Sequence, residues 1–187
     1  MRGPGVAGVT FLSSEEISAV AARLGAEISA DHPGGVVLVG MLKGSVCLVA
    51  DLARSVTVPC TIDFLQLSAY TEGGPRVRLS KDVDVDLTGQ DAVIVVDVID
   101  SGLTANYVRR LFVERGAKST RVCALLDRRR RRVVPIDIDY LGVEVGEEHL
   151  VGYGLDYEER YRNLPDLLTV DPSELQQLAD AGEIAGA

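Results

Sequence analysis

The chain has 187 residues, of which 47% are hydrophobic and 25% are charged. These proportions are those of a globular protein, and the length is enough for one good core, so we expect a single domain over residues 1–187. The formal net charge of -9 argues against a nucleic-acid or anionic-membrane partner, because such partners are attracted by clustered lysines and arginines.

The cysteines and the apolar runs bear on where the protein works. Cys47, Cys60 and Cys123 form neither a C-x-x-C pair nor a metal-type spacing, so we interpret them as small core residues in a reducing compartment. The first residues, MRGPGVAG, lack the regions of a signal peptide, and no apolar stretch approaches the ~18 residues of a membrane span. We therefore expect a cytoplasmic protein.

The N-terminal third of the chain predicts two helices and two strands. Ser13 and Glu16 form a capping box, and apolar residues follow it at helical spacing. Residues 36–42, VVLVGML, are too continuously apolar for a half-exposed strand, so they predict a buried parallel strand. A helix is expected over about 45–54, and a second strand over 60–70.

The middle of the chain continues this alternation after a long polar connection. Residues 71–90 contain Gly and Pro, and a connection of that length is usually mobile, functional or both. Further strands are predicted at 92–98, 121–127 and 137–145, with a helix that ends at Gly116 after the first of them. The pattern predicts an α/β fold, with a mostly parallel β-sheet core flanked by helices.

The stretch VVDVIDSGLT at residues 95–104 is the first candidate site. Ligands of open parallel sheets bind at the carboxyl ends of strands. A terminal phosphate could be bound there by the backbone N–H groups of residues 101–104, by two hydroxyls and by the start of the following helix. An upstream carboxylate could accept hydrogen bonds from ribose hydroxyls. A ribose phosphate satisfies both. The alternative is that Asp100 or Ser101 caps the helix and Asp97 only ends a strand.

The same stretch, VIVVDVIDSGLT, resembles the phosphoribosyl-pyrophosphate (PRPP) signature of type I phosphoribosyltransferases. GMLKGSVCLVADLAR at 40–54 is similar to the pyrophosphate loop and helix of the hypoxanthine-guanine branch, DFLQLSAY at 63–70 to its lead into a flexible loop, and 139–165 to its C-terminal signature. The similarity runs in order over about 9–168 and leaves 169–187 as a tail. It implies the type I fold, with a small hood formed by the chain ends and a flexible loop.

The resemblance implies a role for each matching residue. It makes Asp100 the catalytic base near N7 of the purine. It implies that Asp97 holds the ribose and that Ser101, Gly102, Leu103 and Thr104 hold the 5′-phosphate. It further implies that pyrophosphate is bound by Lys43, Gly44 and Arg162, and that the base is bound by Arg128, His149 and Leu150. It places Ala69 and Tyr70 in the flexible loop and Asp156 at magnesium. The loop Leu42-Lys43-Gly44 often carries a cis peptide in this family.

The implied reaction joins a 6-oxopurine to PRPP and releases a nucleoside monophosphate and pyrophosphate, with Mg²⁺, in a homodimer or homotetramer. Displacement of pyrophosphate builds positive charge on the sugar and negative charge on the leaving group, so cations are needed at one end, where Lys43 and Arg162 could supply them. A carboxylate at Asp100 can accept the proton that the base loses. Residues 71–80 are the natural lid against water.

Simpler interpretations exist for three of these residues. Taken singly, Lys43 could be a surface lysine at a turn and Asp156 a turn residue. Arg162 could be half of a surface ion pair with Glu158 or Glu159. Their order along the chain together with the other motifs favours the site.

Four positions depart from the family pattern and leave alternatives open. Val96 replaces an acid, Ala69 replaces the serine of a Ser-Tyr pair, Arg128 replaces a lysine that reads the purine oxygen, and His149 replaces a stacking aromatic residue. Arginine can still donate to a base, and imidazole still offers a flat face. The alternatives are a same-fold transferase for another base or heterocycle, and a non-catalytic PRPP or nucleotide sensor. Residues 129–132 are interpreted as a solvated turn.

Overall fold

The structure, a computed structural model, describes residues 8–70, 76–173 and 175–176. Strands and helices alternate along most of this length. In chain order they are β1 (Val9–Leu12), α1 (Ser14–Asp31), β2 (Val36–Met41), α2 (Val46–Ser55), β3 (Cys60–Tyr70), β4 (Arg76–Lys81), β5 (Asp91–Ile99), α3 (Leu103–Glu114), β6 (Ser119–Asp127), β7 (Tyr140–Glu144), β8 (His149–Val151) and β9 (Leu167–Val170).

The main sheet has six strands in the order β4-β3-β2-β5-β6-β7. Its last five strands run parallel, and β4 pairs antiparallel with β3 at one edge. The central strands are buried on both faces, which is why they read as continuous apolar runs instead of alternating ones. The predicted α/β fold with a mostly parallel sheet is confirmed.

Helices cover both faces of this sheet. On one face α1 and α2 pack against Leu38, Val93 and Val95, and on the other α3 packs against residues such as Ile94 and Val122. Successive strand residues point to opposite faces, so each strand feeds both cores. No helix in the described ranges is long and apolar enough to span a membrane.

The start of α1 matches its predicted capping box. The hydroxyl of Ser13 accepts the N–H of Glu16, and the Glu16 carboxylate accepts the N–H of Ser13 at 2.8 Å. Cys123 is completely buried, as predicted for a core residue, whereas Cys47 and Cys60 are only half-buried.

A second sheet is built from the two ends of the chain. It has three antiparallel strands in the order β1-β9-β8. This sheet corresponds to the hood that the resemblance implies, and the segment between β8 and β9 contacts the loop after β2, where Lys43 pairs with Glu159. Its strands have only three or four residues, too few for a periodic apolar pattern, so the sequence did not indicate them individually.

The long connection expected over residues 71–90 contains a strand, and the lid assigned to 71–80 stays a prediction. Residues 76–81 form β4, an edge strand that pairs with β3 in the register Tyr70 to Arg76, and residues 71–75 lie outside the described ranges. The alternation of basic and apolar residues in RVRLSK is typical of an exposed edge strand. The last predicted strand also begins later than expected, at Tyr140.

Asp63 fastens the segment after β4 to β3, and this contact gives a stability prediction. Its carboxylate accepts the N–H groups of Phe64 at 2.7 Å, Asp84 at 2.6 Å and Val85 at 2.9 Å. Burial alone would raise the pKa of Asp63, but these three donors and Lys81 outweigh it and hold the pKa below its usual value.

We expect Asp63→Asn to lower the free energy of unfolding by about 1–3 kcal/mol at pH 7, because buried N–H groups lose an ionised acceptor. Since the folded-state pKa is depressed, this stabilisation is present above the unfolded-state pKa near 4 and is lost as pH falls through the folded-state value. Urea unfolding at several pH values measures both effects. The control is Asp84→Asn, because the Asp84 side chain is 89% exposed. An equal loss of unfolding free energy in that variant would contradict the role assigned to the Asp63 carboxylate.

Candidate active site

Three loops meet at the carboxyl edge of the main sheet. They follow β2, β5 and β6, which are adjacent in the sheet, and the segment after β8 approaches them from the hood. The predicted residues Lys43, Asp100 and Arg128 each lie just beyond the end of one of these strands. The topology therefore brings together residues that are far apart in the chain.

The loop after β5 leads directly into the start of α3 beside a cavity. Gly102 is the N-cap of α3 and has φ +80°, a backbone conformation that favours glycine. The carbonyl of Ser101 accepts the N–H groups of Val133 at 3.0 Å and Val134 at 3.1 Å. A cavity of ≈ 340 Å³ opens beside this loop, lined among others by Asp97 and Thr104. Gly102, Thr104 and Ala105, at the start of this three-turn helix, also line the cavity, and a helix N-terminus favours a bound anion.

The capping alternative is not supported for Asp100. The N-cap residue is Gly102, which makes no side-chain cap hydrogen bond. The Ser101 hydroxyl accepts the Leu103 N–H at 3.3 Å, which is a long contact.

Asp100, which lines this cavity, lies beside Arg128. Their nearest atoms, Oδ1 and Nη1, are 3.6 Å apart, which is close enough for charge attraction but too long for a hydrogen bond. Asp100 Oδ1 is buried without a hydrogen-bond partner among the described residues, and so is Arg128 Nε. Arg128 Nη2 donates to the Glu148 carbonyl at 2.7 Å. A hydrogen-bond acceptor on Asp100 and a donor on Arg128 therefore both lack a hydrogen-bond partner among the described residues.

The arginine run is not a uniform solvated turn. Arg129–Arg131 form a short 3-10 turn without buried residues, which agrees with the expectation for that part. Arg132 contradicts it, because its side chain is only 15% exposed and pairs with buried Asp127. The sequence could not separate these residues, since five consecutive arginines carry no periodic signal.

Asp97 is enclosed by the loop after β2. The Val98 N–H donates to its Oδ1 at 2.9 Å, and burial raises the pKa of its carboxyl group. A Cβ atom on Gly44 would lie 1.7 Å from Asp97 Oδ2, so only glycine permits this approach. The Leu42–Lys43 peptide bond is cis, as the resemblance implied. Val96, which replaces a family acid, is buried in the core.

The segment after β8 adds a network of charges. Arg162 Nη2 lies 2.9 Å from Asp156 Oδ1 and 3.3 Å from Glu159 Oε2, and its Nη1 donates to the Gly154 carbonyl at 2.8 Å. Lys43 Nζ reaches the same Glu159 oxygen at 2.8 Å. The ion pair considered for Arg162 therefore exists with Glu159, and it lies inside the candidate site.

The remaining predicted residues lie at the margins of this site. His149 is exposed at the start of β8. Leu150 lies in β8, opposite Thr169 of β9, and is buried in the core. Ala69 and Tyr70 are the last residues of β3, and the segment of the predicted flexible loop that follows them, 71–75, lies outside the described ranges.

Two features of the site were missed in the sequence. The first is the position of the Glu159 carboxylate between the cations of Lys43 and Arg162. Glu159 is 116 residues from Lys43 in the chain. The second is Gly154, where a Cβ atom would lie 2.0 Å from the Gly44 carbonyl oxygen. The glycines in VGYG could have indicated a close approach of two backbones, but not the partner.

Comparisons with known proteins agree with this geometry. A family model described as phosphoribosyl transferase domain matches residues 10–158. The hypoxanthine-guanine phosphoribosyltransferase of Mycobacterium avium is 40% identical over 184 residues, covering 93% of this chain and 91% of that protein. The hypoxanthine phosphoribosyltransferase of Salmonella typhimurium is 43% identical over 161 residues, covering 83% and 90%.

Solved structures show the same relationship. A hypoxanthine-guanine phosphoribosyltransferase from Bacillus anthracis has a TM-score of 0.83 at 38% identity, covering 87% of this chain and 98% of that one. The hypoxanthine phosphoribosyl transferase of Trypanosoma cruzi has a TM-score of 0.89 at 30% identity, covering 96% and 100%. The chain therefore belongs to the phosphoribosyltransferase family, in its hypoxanthine-guanine branch.

Proposed function

We propose that this protein transfers the phosphoribosyl group of PRPP to a 6-oxopurine, hypoxanthine or guanine, and releases the nucleoside monophosphate and pyrophosphate in purine salvage. The bond from ribose C1 to pyrophosphate oxygen breaks, and a bond from C1 to a ring nitrogen forms. The observation that carries this proposal is the buried Asp100 oxygen, which has no hydrogen-bond partner among the described residues, beside a helix N-terminus that can hold a phosphate.

The ribose phosphate fits the end of β5. The loop of Ser101, Gly102, Leu103 and Thr104 offers N–H groups and hydroxyls to the 5′-phosphate, and the helix dipole of α3 favours a negative charge there. The Asp97 carboxylate lies at the wall of the same cavity, where it can accept hydrogen bonds from the ribose hydroxyls.

The pyrophosphate fits the loop after β2. Lys43 and Arg162 both contact the same oxygen of Glu159, so their positive groups lie close together. Gly44 lets the backbone of this loop lie against Asp97. Cations at this end stabilise the charge that develops on the leaving group, whereas none is needed at the sugar.

Magnesium fits this site as an ion that arrives with the substrate. In the described ranges no group of three or more His, Cys, Asp or Glu side chains could hold a metal. Asp156 is the matching carboxylate, and its two oxygens already accept from Arg162 and the Glu159 N–H. Magnesium typically uses one or two carboxylates and completes its shell with phosphate oxygens and water. When bound, it neutralises charge on the pyrophosphate.

The base fits with its polar edge against Asp100 and Arg128, whose nearest atoms lie 3.6 Å apart. Asp100 can accept the proton that the purine loses as its nitrogen bonds to C1. Arg128 is only 11% exposed, and its unpartnered Nε can donate to the purine oxygen. Arg128 also donates to the Glu148 carbonyl. His149 and Leu150 directly follow Glu148 in the chain, so this contact brings them near the proposed base site.

We also propose that the enzyme is a cytoplasmic homodimer or homotetramer. Lys43 is 55% exposed, which leaves the pyrophosphate loop accessible to a neighbouring subunit, and the resemblance implies such a contact. Light scattering of the purified protein determines the oligomeric state.

A panel of bases, each mixed with PRPP and Mg²⁺ and scored by pyrophosphate release, tests the proposed function. Release with hypoxanthine or guanine supports it. Release only with another acceptor supports a same-fold transferase for a different base, which the substitutions at Arg128 and His149 motivate. Tight PRPP binding without any release supports the non-catalytic sensor, which Val96 and Ala69 motivate.

The donor at Arg128 leads to a mutational prediction. We expect Arg128→Met to lower kcat/KM for hypoxanthine by roughly 10- to 100-fold, because a buried charged donor to the base is lost. Arg128→Lys should keep activity with hypoxanthine or guanine or improve it, since a cationic donor remains.

Arg129→Met is the matched control, because Arg129 is 79% exposed and pairs only with Glu144 among the described residues. Steady-state kinetics with hypoxanthine and guanine measure all three variants. An equal loss in Arg128→Met and Arg129→Met would exclude a specific role for Arg128.

A further inference from the structure

A single carboxylate oxygen joins the two cations assigned to pyrophosphate. Glu159 Oε2 lies 2.8 Å from Lys43 Nζ and 3.3 Å from Arg162 Nη2. These two contacts place a negative oxygen between the two positive groups. A phosphate oxygen bound by both cations would have to occupy nearly the same position.

The local backbone presents the Glu159 side chain to these cations. The Glu159 N–H donates to Asp156 Oδ2 at 2.8 Å. This hydrogen bond closes a turn between Asp156 and Glu159. Glu159 also has φ +65°, an uncommon conformation for a residue other than glycine. The side chain therefore projects from an ordered turn that leads toward Lys43.

The contact lies at the solvent-facing side of the site. The side chains of Lys43 and Glu159 are 55% and 63% exposed, whereas Arg162 is 25% exposed. Ion pairs with this exposure are weak, because water and salt compete for both charges. A ligand of higher charge can displace the carboxylate into water without leaving a buried charge unpaired.

We propose that Glu159 is an internal counter-ion that competes with the pyrophosphate group for Lys43 and Arg162. This inference rests on the proposed function, in which these two cations bind pyrophosphate. Binding of PRPP exchanges the carboxylate for phosphate oxygens, so part of the attraction between cations and ligand is offset by the lost contacts. The same competition acts on the product, and it weakens the hold of the enzyme on pyrophosphate after the transfer.

Glu159→Gln tests the proposal, because it removes the charge and keeps the size of the side chain. We expect magnesium pyrophosphate and magnesium PRPP each to bind roughly 3- to 10-fold more tightly to this variant than to the unmodified protein. Isothermal titration calorimetry on the full chain measures both affinities. Glu159→Ala should shift them in the same direction.

Glu158→Gln is the matched control. It makes the same charge change one residue away, at an exposed side chain that also has a positive φ, of 51°. We expect its affinities to stay within about twofold of the unmodified protein, because an exposed charge away from the ligand is largely screened. Thermal melting verifies that all variants are folded.

The outcomes separate this inference from the proposed function. Tighter binding in both Glu159 variants, but not in Glu158→Gln, supports the counter-ion. Unchanged or weaker binding in folded Glu159→Gln overturns it and makes Glu159 a residue that positions the two cations, while the proposed function stands. If neither ligand binds the unmodified protein or any variant, the proposed function and this inference both fail.

Discussion

Replacing Asp100 by Asn should lower the turnover number by roughly 10²- to 10⁴-fold, the usual contribution of a general base. The reason is the position of its Oδ1 atom, which is buried, lacks a hydrogen-bond partner among the described residues and lies 3.6 Å from the Arg128 guanidinium. The amide is nearly the same size as the carboxylate, but it cannot accept a proton from the base. Steady-state rates with hypoxanthine and PRPP measure the loss.

Binding of PRPP should survive this substitution. The ribose phosphate is assigned to Asp97 and to the backbone of residues 101–104, none of which Asp100→Asn removes. Calorimetry with Mg²⁺ present checks this, and Asp137→Asn serves as a control at an exposed aspartate. An unchanged turnover number would refute the assigned role. Loss of PRPP affinity together with turnover would instead mean that Asp100 holds the sugar.

The parts of the site that lie within one contiguous stretch were predictable from the sequence. The phosphate loop after β5 is an example, because a strand end, a glycine with positive φ and a helix start are all encoded within residues 95–104. The central strands were predictable for a similar reason, since burial on both faces imposes a continuous apolar run. The assigned roles of these residues stay predictions until the variants are measured.

Contacts between distant loops were not predictable from one sequence. Glu159 looked like one acid in a run of charged residues, and only the fold places it against Lys43. Arg132 looked like its four arginine neighbours, and only the fold buries it against Asp127. β4 was taken for part of a long connection because a short edge strand with basic residues has the composition of a loop.

Gly44 makes another such contact between distant residues, with Asp97. A methyl group there would lie 1.7 Å from Asp97 Oδ2 and 2.5 Å from its Cγ. Atoms cannot approach so closely, so either the loop or the carboxylate must move. The carboxylate is a side-chain end and is the group that moves more readily. Its displacement removes the acceptor assigned to the ribose.

We therefore expect Gly44→Ala to weaken PRPP binding by roughly 10²-fold or more, since displacement of about 1 Å can cost that much in a preorganised site. Gly34→Ala is the matched control, because a Cβ atom there meets nothing within 4 Å, and its PRPP affinity should be unchanged. Calorimetry of both variants, with melting temperatures to establish folding, makes the comparison. Unaltered PRPP affinity in folded Gly44→Ala would show that the pyrophosphate loop and Asp97 do not bind the substrate as one unit.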